Sequence, residues 1–590
     1  MTVSMTAPAM SPPRMLPLGT SQPPGDKYVC LANIPPFFDT HIINTNDIGD
    51  QAVSVSLPTW DSVPGRPRGY KWVIEKLQAN YPRFGLGSIV QQLTSAVLER
   101  CAIPSENMLC LVFSSKHAAR RCILFLQDHH SSDVQADVVS FYLFRETTSP
   151  KSTSWDRFYA VICDADAKVA ANEFWSIFGD GLSTRHAEFC LQLWPNMCSE
   201  PDNKLLQFYT STGTDTGTSK IPIPMLKSLV AGQAAKTEIK DRIAELIASD
   251  NSELTPPSAR DVFLYTNGMS AISAVSRALV PEKKETSGAV VFGWPYAENP
   301  KCVSQSGYER FTLYNKGTTD ELDQLEESLA SGSRIRVLFC EVPSNPLLRT
   351  PDLDRIRSLA DQYDFIVVCD ETLGTFVNVD ILPYVDVAVT SLTKIFNGGA
   401  NAMGGSAVVN PASRHYSEVH AKLTAIYEDL LFPTEALVLA ENSRNFQARV
   451  RKSSANALTL ATFLSSHPSI ESVLYPALIP TRQLYDRYRR RNGGYGYVLS
   501  LLLREPDDAI RFYDSLDMRK GPSIGTNFSL AIPYAQLAHV FDLDWAESQG
   551  IPKHIVRLSV GLESEDDLVN CVSRALEGLA SPQPVLQSLL

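Results

Sequence analysis

Short, unbroken apolar runs alternate along this chain with segments whose apolar positions recur every three or four residues, the signature of strands alternating with amphipathic helices. The pattern is clearest from 261 to 411. Strands are predicted at 262–265, 289–292, 334–342, 365–370 and 385–390, with helices between them whose inward faces include Ile272, Val275 and Leu279 and the run 352–363. Strands that are apolar at every position are buried on both faces, which predicts a mostly parallel sheet covered by helices. Upstream, strand-like runs at 109–113, 138–144 and 158–163 and helices at 118–127 and 169–178 predict a small α/β module, followed by a polar-faced helix over 226–249. Downstream, a long amphipathic helical region at 434–464, strands at 470–475, 497–503 and 556–560, and a last helix from Glu565 predict a second, smaller α/β unit.

The boundaries follow from breaks in this texture. Residues 1–50 are rich in Pro, Ser, Thr and Asn and read as a disordered or irregular arm. The remaining divisions are an N-terminal segment at 51–105, an inserted α/β module at 106–250, a large domain at 251–425 and a C-terminal α/β domain at 426–590, with the Ser/Pro-rich stretch 252–258 as a linker. No internal repeat is evident. A chain of 590 residues is expected to form roughly two to four domains.

Composition narrows the partners. The chain has 53 Lys and Arg against 65 Asp and Glu, a net charge of −12 with no basic patch, so nucleic acid and anionic membranes are not expected partners. No apolar stretch is long enough to span a bilayer. Eleven cysteines form no C-x-x-C pair, and Cys340 and Cys369 fall inside apolar runs, which predicts a reduced, cytoplasmic protein. The Pro-rich first 25 residues carry a single Arg14 and do not read as a signal peptide. No histidines have metal-ligand spacing (His129 and His130 are a doublet, His415 and His420 five apart), so no metal is predicted. Ser and Cys nucleophile motifs are likewise missing.

The candidate chemistry lies at predicted strand ends. The run 365–370 ends on Asp370, and the next strand leads into Ser391-Leu392-Thr393-Lys394, so an acid and a lysine fall at neighbouring carboxyl ends, where open α/β sheets bind ligands. An acid that keeps a pyridine nitrogen protonated and an amine for an aldehyde are the minimum for pyridoxal-5'-phosphate (PLP) chemistry. Asp370 could equally cap a helix, and Lys394 could be a solvated loop residue. After the strand 262–265, Thr266-Asn267-Gly268-Met269 opens a helix, where a glycine lets backbone N–H groups approach a phosphate. The hydroxyls of Ser391 and Thr393 add donors, and Gly293-Trp294-Pro295-Tyr296 brings an aromatic ring to the same edge.

These residues sit in strings that resemble a known family. EVPSNPLL (341–348), VVCDETLGT (367–375), SLTKIFNGGANAMGGSAVVNP (391–411) and VRLSVGLES (556–564) are similar to the PLP-dependent enzymes of Cys/Met metabolism, and SVSLPTW (54–60) and YPRF (81–84) to the fungal-type cystathionine gamma-synthases among them. The resemblance implies PLP-dependent transferase fold type I, with PLP as cofactor. It implies that Lys394 binds the cofactor covalently and that Asp370 pairs with its ring nitrogen. Asn345 would bond its 3'-oxygen, Gly268, Met269, Ser391 and Thr393 would cradle its phosphate, and Tyr296 would stack on its ring. Tyr81 and Arg83 match a Tyr-x-Arg pair that reaches a neighbouring subunit's phosphate, which implies a homodimer or homotetramer with shared sites. Lys394, Tyr296 and Tyr81 are the implied catalytic residues. Arg557 would clamp the substrate α-carboxylate, with Ser523 nearby.

The implied reaction is γ-replacement on an O-acyl-L-homoserine with L-cysteine to give L-cystathionine, as in trans-sulfuration and methionine biosynthesis. Two features depart from the pattern. Residues 81 and 268 lie 187 positions apart, with the α/β module between them, where compact relatives have a few dozen. Phe84-Gly85-Leu86-Gly87 stands where bulkier aromatic and His residues are expected, which keeps sulfide or a carbon nucleophile in specialised metabolism as an alternative. A catalytically inactive, regulatory relative is the reading from a different class.

Overall fold

The structure is a computed structural model describing residues 15–22, 51–79, 81–103, 107–143, 155–201, 221–282 and 288–580. Its central sheet has seven strands in the order Val262–Tyr265, Gly405–Val409, Val387–Ser391, Ile366–Asp370, Val337–Glu341, Gly288–Phe292 and Arg310–Tyr314. Only Gly405–Val409 runs antiparallel to its neighbours, so the sheet is mixed and mostly parallel. Val337, Val368 and Val387 are buried on one face and Leu338, Val367 and Ala388 on the other, as the unbroken apolar runs require. The register sets Glu341 beside Asp370, and Ser391 beside Gly405, itself beside Tyr265. Five chain segments therefore end along one edge of the sheet, which is the geometric reason a site can form there.

The helix Ile223–Ile247 lies along Pro433–Asn442 and buries Ile239, Ile243 and Ile247 with Val262 and Leu264. It belongs with the large domain, a correction to its assignment within 106–250. The helical region expected at 434–464 is two helices, Pro433–Asn442 and Phe446–Ser465, because Asn442 turns its carbonyl to Arg449 Nη2 at 2.8 Å and its amide to Asn397 at 2.7 Å. The C-terminal domain holds a five-stranded sheet in the order Ile470–Leu474, Val498–Leu503, Val556–Ser559, Leu530–Pro533 and Arg519–Lys520. The last helix, Glu565–Ala580, starts where the sequence predicts it.

The inserted module is a four-stranded antiparallel sheet, ordered Met108–Phe113, Arg157–Asp164, Ala136–Leu143 and Met197–Pro201, with the helix Lys116–His129 packed on it and Lys168–Phe178 packed against that helix. The helix Thr184–Gln192 and the strand Met197–Pro201 escaped the pattern reading; the strand has only two apolar residues and ends on Pro201, as an edge strand can. The helix Ser88–Arg100 packs on Thr184–Gln192 and Met108–Phe113, so the module begins before 106. Residues 51–79 go elsewhere. Leu57, Trp60, Val63 and Val73 share a core with Leu499 and Tyr513 of the C-terminal domain, and Lys520 Nζ donates to Pro58 O at 2.9 Å. The division 51–105 is thus two units joined near residue 81. Of the arm predicted at 1–50, only 15–22 is described; Ser21–Gln22 pairs with Ser54–Val55, and the rest of that expectation lies outside the described residues. Among the described residues no helix is long and apolar enough to cross a membrane.

Candidate active site

Tyr81, Arg83, Gly268, Met269, Tyr296, Asn345, Asp370, Ser391, Thr393 and Lys394, ten residues singled out from the sequence, line one cleft of about 520 Å³, part of it open to solvent. Each arrives for a local reason. Asn267 caps the helix Gly268–Leu279, its Oδ1 accepting from the Ser270 N–H at 3.1 Å, which leaves the helix N-terminus facing the cleft. A Cβ on Gly268 would lie 2.7 Å from Ser391 Cβ, so only glycine lets the helix start approach the end of Val387–Ser391 this closely. Asp370 is buried, and its Oδ1 accepts from the Thr372 N–H at 2.9 Å and hydroxyl at 2.6 Å. Burial raises the Asp370 pKa, while the Thr372 bonds and the charge of Lys394 pull it back.

Lys394 Nζ donates to Tyr81 Oη at 2.7 Å and sits 4.8 Å from that ring's centroid. Tyr296 brings a buried hydroxyl with no hydrogen-bond partner among the described residues, and burial pushes its pKa well above the usual phenol range. Thr393 is turned partly away: its hydroxyl bonds Gly404 O at 3.2 Å and accepts from Gly404 N at 3.1 Å. Arg557 stands behind Asn345, donating to Asn345 Oδ1 at 3.1 Å and to Pro522 O at 3.3 Å, with Tyr534 5.3 Å from its guanidinium. Burial lowers its pKa. Ser523 is buried, its hydroxyl has no hydrogen-bond partner among the described residues, and it is not among the residues lining the cleft.

In the single chain described, Tyr81 and Arg83, expected to serve a neighbouring subunit, line the cleft beside Lys394. Sequence reading gave no site role of their own to Thr372, Glu341, Asn267 and Trp175. Glu341 accepts from the Tyr296 N–H at 2.8 Å, and burial, with Asp370 beside it, raises its pKa well above the usual carboxylate value. The sequence signal for Thr372 was present as the third residue of Asp370-Glu371-Thr372. Trp175 had none.

The donors suit PLP. A helix N-terminus with Arg83 and Ser391 suits a phosphate, a buried carboxylate suits a cationic ring nitrogen, a lysine amine suits an aldehyde, and a glycine no Cβ could replace opens the phosphate end. Together, a mostly parallel α/β sheet and this cleft define a PLP-dependent enzyme of fold type I.

Comparison with known proteins identifies the group. Residues 252–577 match the description "Cys/Met metabolism PLP-dependent enzyme" and residues 89–183 "Fungal trans-sulfuration enzyme, N-terminal domain". The chain belongs to the Cys/Met metabolism PLP-dependent enzyme family. It is 46% identical over 95% of its length to a cystathionine gamma-synthase-like protein, ankD, of Aspergillus thermomutatus, covering 94% of that protein. It is 34% identical to a cystathionine gamma-synthase of Neurospora crassa, with 89% of this chain and 96% of that one aligned. An alanine racemase, ungC, of Aspergillus violaceofuscus is 31% identical over 89% of this chain and 94% of its own. A solved cystathionine gamma synthase of Xanthomonas oryzae shares the fold, with a TM-score of 0.51 at 24% identity, covering 62% of this chain and 89% of that one. The matched stretch 89–183 agrees with a module that starts at Ser88.

Proposed function

We propose that this enzyme carries out γ-replacement on an O-acyl-L-homoserine, with the cysteine thiol as nucleophile and L-cystathionine as product. The observation that carries this reading is the contact between Lys394 Nζ and Tyr81 Oη, 2.7 Å, in a cleft whose other side is Asn345 backed by Arg557. Bound PLP supplies an electrophilic aldehyde and a cationic ring that takes up the electron pair released at the substrate. Lys394 would hold it covalently at rest, Asp370 would pair with its ring nitrogen, and Gly268, Met269, Ser391 and Arg83 would hold its phosphate. Asn345 would meet the 3'-oxygen.

The Lys394 amine, when released, would take the Cα proton and then serve at Cβ, and the Tyr81 hydroxyl, in hydrogen-bond reach of the same nitrogen, would orient it. Tyr296 gives an aromatic face with a phenol held neutral by burial. Arg557, with a planar fork of donors, would orient the substrate α-carboxylate, and Ser523 would lie beside that clamp. At Cγ the C–O bond breaks, the acyl group leaving as a carboxylate, and a C–S bond forms, the thiol proton passing to solvent.

A different nucleophile, sulfide or a carbanion, is the second reading. It is favoured by the higher identity to a cystathionine gamma-synthase-like protein than to a cystathionine gamma-synthase, 46% against 34%, and by Gly85 and Gly87 beside Phe84. Both readings are tested by mass spectrometry of products from O-acetyl-, O-succinyl- and O-phosphohomoserine, each offered cysteine, sulfide and β-dicarbonyl nucleophiles. Cystathionine from an acylated donor supports the first reading; a carbon–carbon product alone moves the enzyme to the second; no γ-replaced product from any pair overturns both.

A further inference from the structure

We infer that Tyr534 is a positioning residue for the substrate clamp: its ring supports the buried charge of Arg557 and holds that guanidinium where a carboxylate can meet it. The inference rests on the reading of Arg557 as the clamp and names the residue that orders it.

Arg557 is a buried cation, 5% exposed, whose hydrogen bonds among the described residues go to neutral oxygens: Asn345 Oδ1 at 3.1 Å and Pro522 O at 3.3 Å. No carboxylate among the described residues forms an ion pair with it. Glu341 is a carboxyl within electrostatic reach, but burial, with Asp370 beside it, raises the Glu341 pKa and so disfavours the anion that would balance the guanidinium. A buried charge without a counter-ion is costly, and burial accordingly lowers the Arg557 pKa. The groups that oppose this shift are tyrosines, Tyr534 first among them.

The Arg557 guanidinium carbon lies 5.3 Å from the centroid of the Tyr534 ring, within the range of a cation–π contact. The two hydrogen bonds hold the Nη1 and Nη2 ends, and the ring adds a third contact that uses no N–H. The rest of the five guanidinium donors therefore stay free for an incoming carboxylate. The Tyr534 hydroxyl has no hydrogen-bond partner among the described residues, so it is the ring, not the phenol, that meets Arg557.

The chain pins Tyr534 to the strand that carries Arg557. Leu530–Pro533 runs antiparallel to Val556–Ser559, with Ile532 opposite Arg557 and Pro533 opposite Val556, and the Tyr534 N–H then donates to Ile555 O at 3.1 Å. Behind the ring is a small core of its own, which includes Trp294, Leu347, Ile551 and Ile555, and the His539 ring lies 6.0 Å away. Tyr534 is 4% exposed. Trp294 and Leu347 belong to the large domain and the others to the C-terminal domain, so the clamp is seated where the two domains meet.

The test titrates PLP-loaded enzyme with L-norvaline, which has no leaving group at Cγ, and with L-norvalinamide, in which a carboxamide replaces the carboxylate; the visible absorbance of the bound cofactor reads both. Tyr534→Leu and Tyr534→Met are each expected to weaken norvaline binding about 10- to 30-fold, the loss of a desolvated cation–π contact, while norvalinamide and PLP bind as in the wild type. Tyr534→Phe keeps the ring and is expected to match the wild type for norvaline. Added to Arg557→Met, Tyr534→Leu is expected to cost norvaline binding nothing more, because it acts through Arg557. Equal losses for norvaline and norvalinamide, or a Phe variant as weak as the Leu variant, would overturn the inference. Norvaline binding lost in Arg557→Met but kept in Tyr534→Leu would overturn the inference alone; norvaline binding kept in Arg557→Met would overturn the clamp reading with it.

Discussion

Replacing His186 by Phe tests how the module is seated. His186 is 1% exposed, its Nε2 lies 3.0 Å from Trp155 O and its Nδ1 3.4 Å from the Ser114 hydroxyl, and its ring stacks on Phe432 at 4.6 Å. Burial pulls its pKa down to about 3, against 6.5 in the open, with the Trp155 carbonyl opposing and Lys236 adding to the shift. A histidine with a lowered folded pKa contributes stability that is fully present above its unfolded value and is lost as pH falls toward its folded value. Between neutral pH and about pH 5 the loss comes to about 2 kcal/mol, and by about pH 4 to about 3 kcal/mol.

In native-state hydrogen exchange read on peptides covering 157–164 and 184–192, 2 kcal/mol corresponds to about a 30-fold fall in protection, after correction for intrinsic exchange. The Phe variant keeps the ring contact with Phe432 but leaves Trp155 O without its donor, so it starts about 1 to 3 kcal/mol less stable at neutral pH. Its protection is then expected to lack the His186 share of the acid loss. Wild type and variant falling in parallel from neutral pH to about pH 4 would refute a buried, neutral His186 as a seat of the module.

Asp370→Asn is expected to retain cofactor while kcat falls about 100- to 1,000-fold, because an amide cannot hold the ring nitrogen protonated; steady-state kinetics on saturated enzyme check this, and near-normal kcat would remove Asp370 from that role. For Arg557→Lys we expect kcat/KM for the amino-acid donor to drop about 10- to 100-fold, mostly through KM, with PLP affinity little changed, as a point charge replaces a planar fork. Initial rates across donor concentrations read this out.

Most of the catalytic body was legible because its signals are local. Strands buried on both faces must be apolar throughout, so Val262–Tyr265 and Ile366–Asp370 stand out, and the residue that ends each run marks the ligand edge. The module was harder. Thr184–Gln192 and Met197–Pro201 are short and interrupted by charge, and the first is held by single contacts such as His186 on Phe432, nearly 250 residues away in the chain. Arg83 shows the deeper limit. Its partners are the carbonyls of Trp175 and Ser176, and a backbone carbonyl leaves no trace in residue type. What seats Arg83 lies in a module of about a hundred residues that its own short string does not describe. Thr372 was readable in principle, since a hydroxyl two residues after a buried carboxylate is positioned to bond it.

The account depends most on Lys394 being the residue that holds the cofactor beside Tyr81. Borohydride reduction of the PLP-loaded wild-type enzyme, followed by digestion and peptide mass spectrometry, reads this directly. A reduced phosphopyridoxyl group on Lys394, in the peptide spanning 391–397, is the predicted result. Label on another lysine, or none on a protein that binds PLP stoichiometrically, would contradict it.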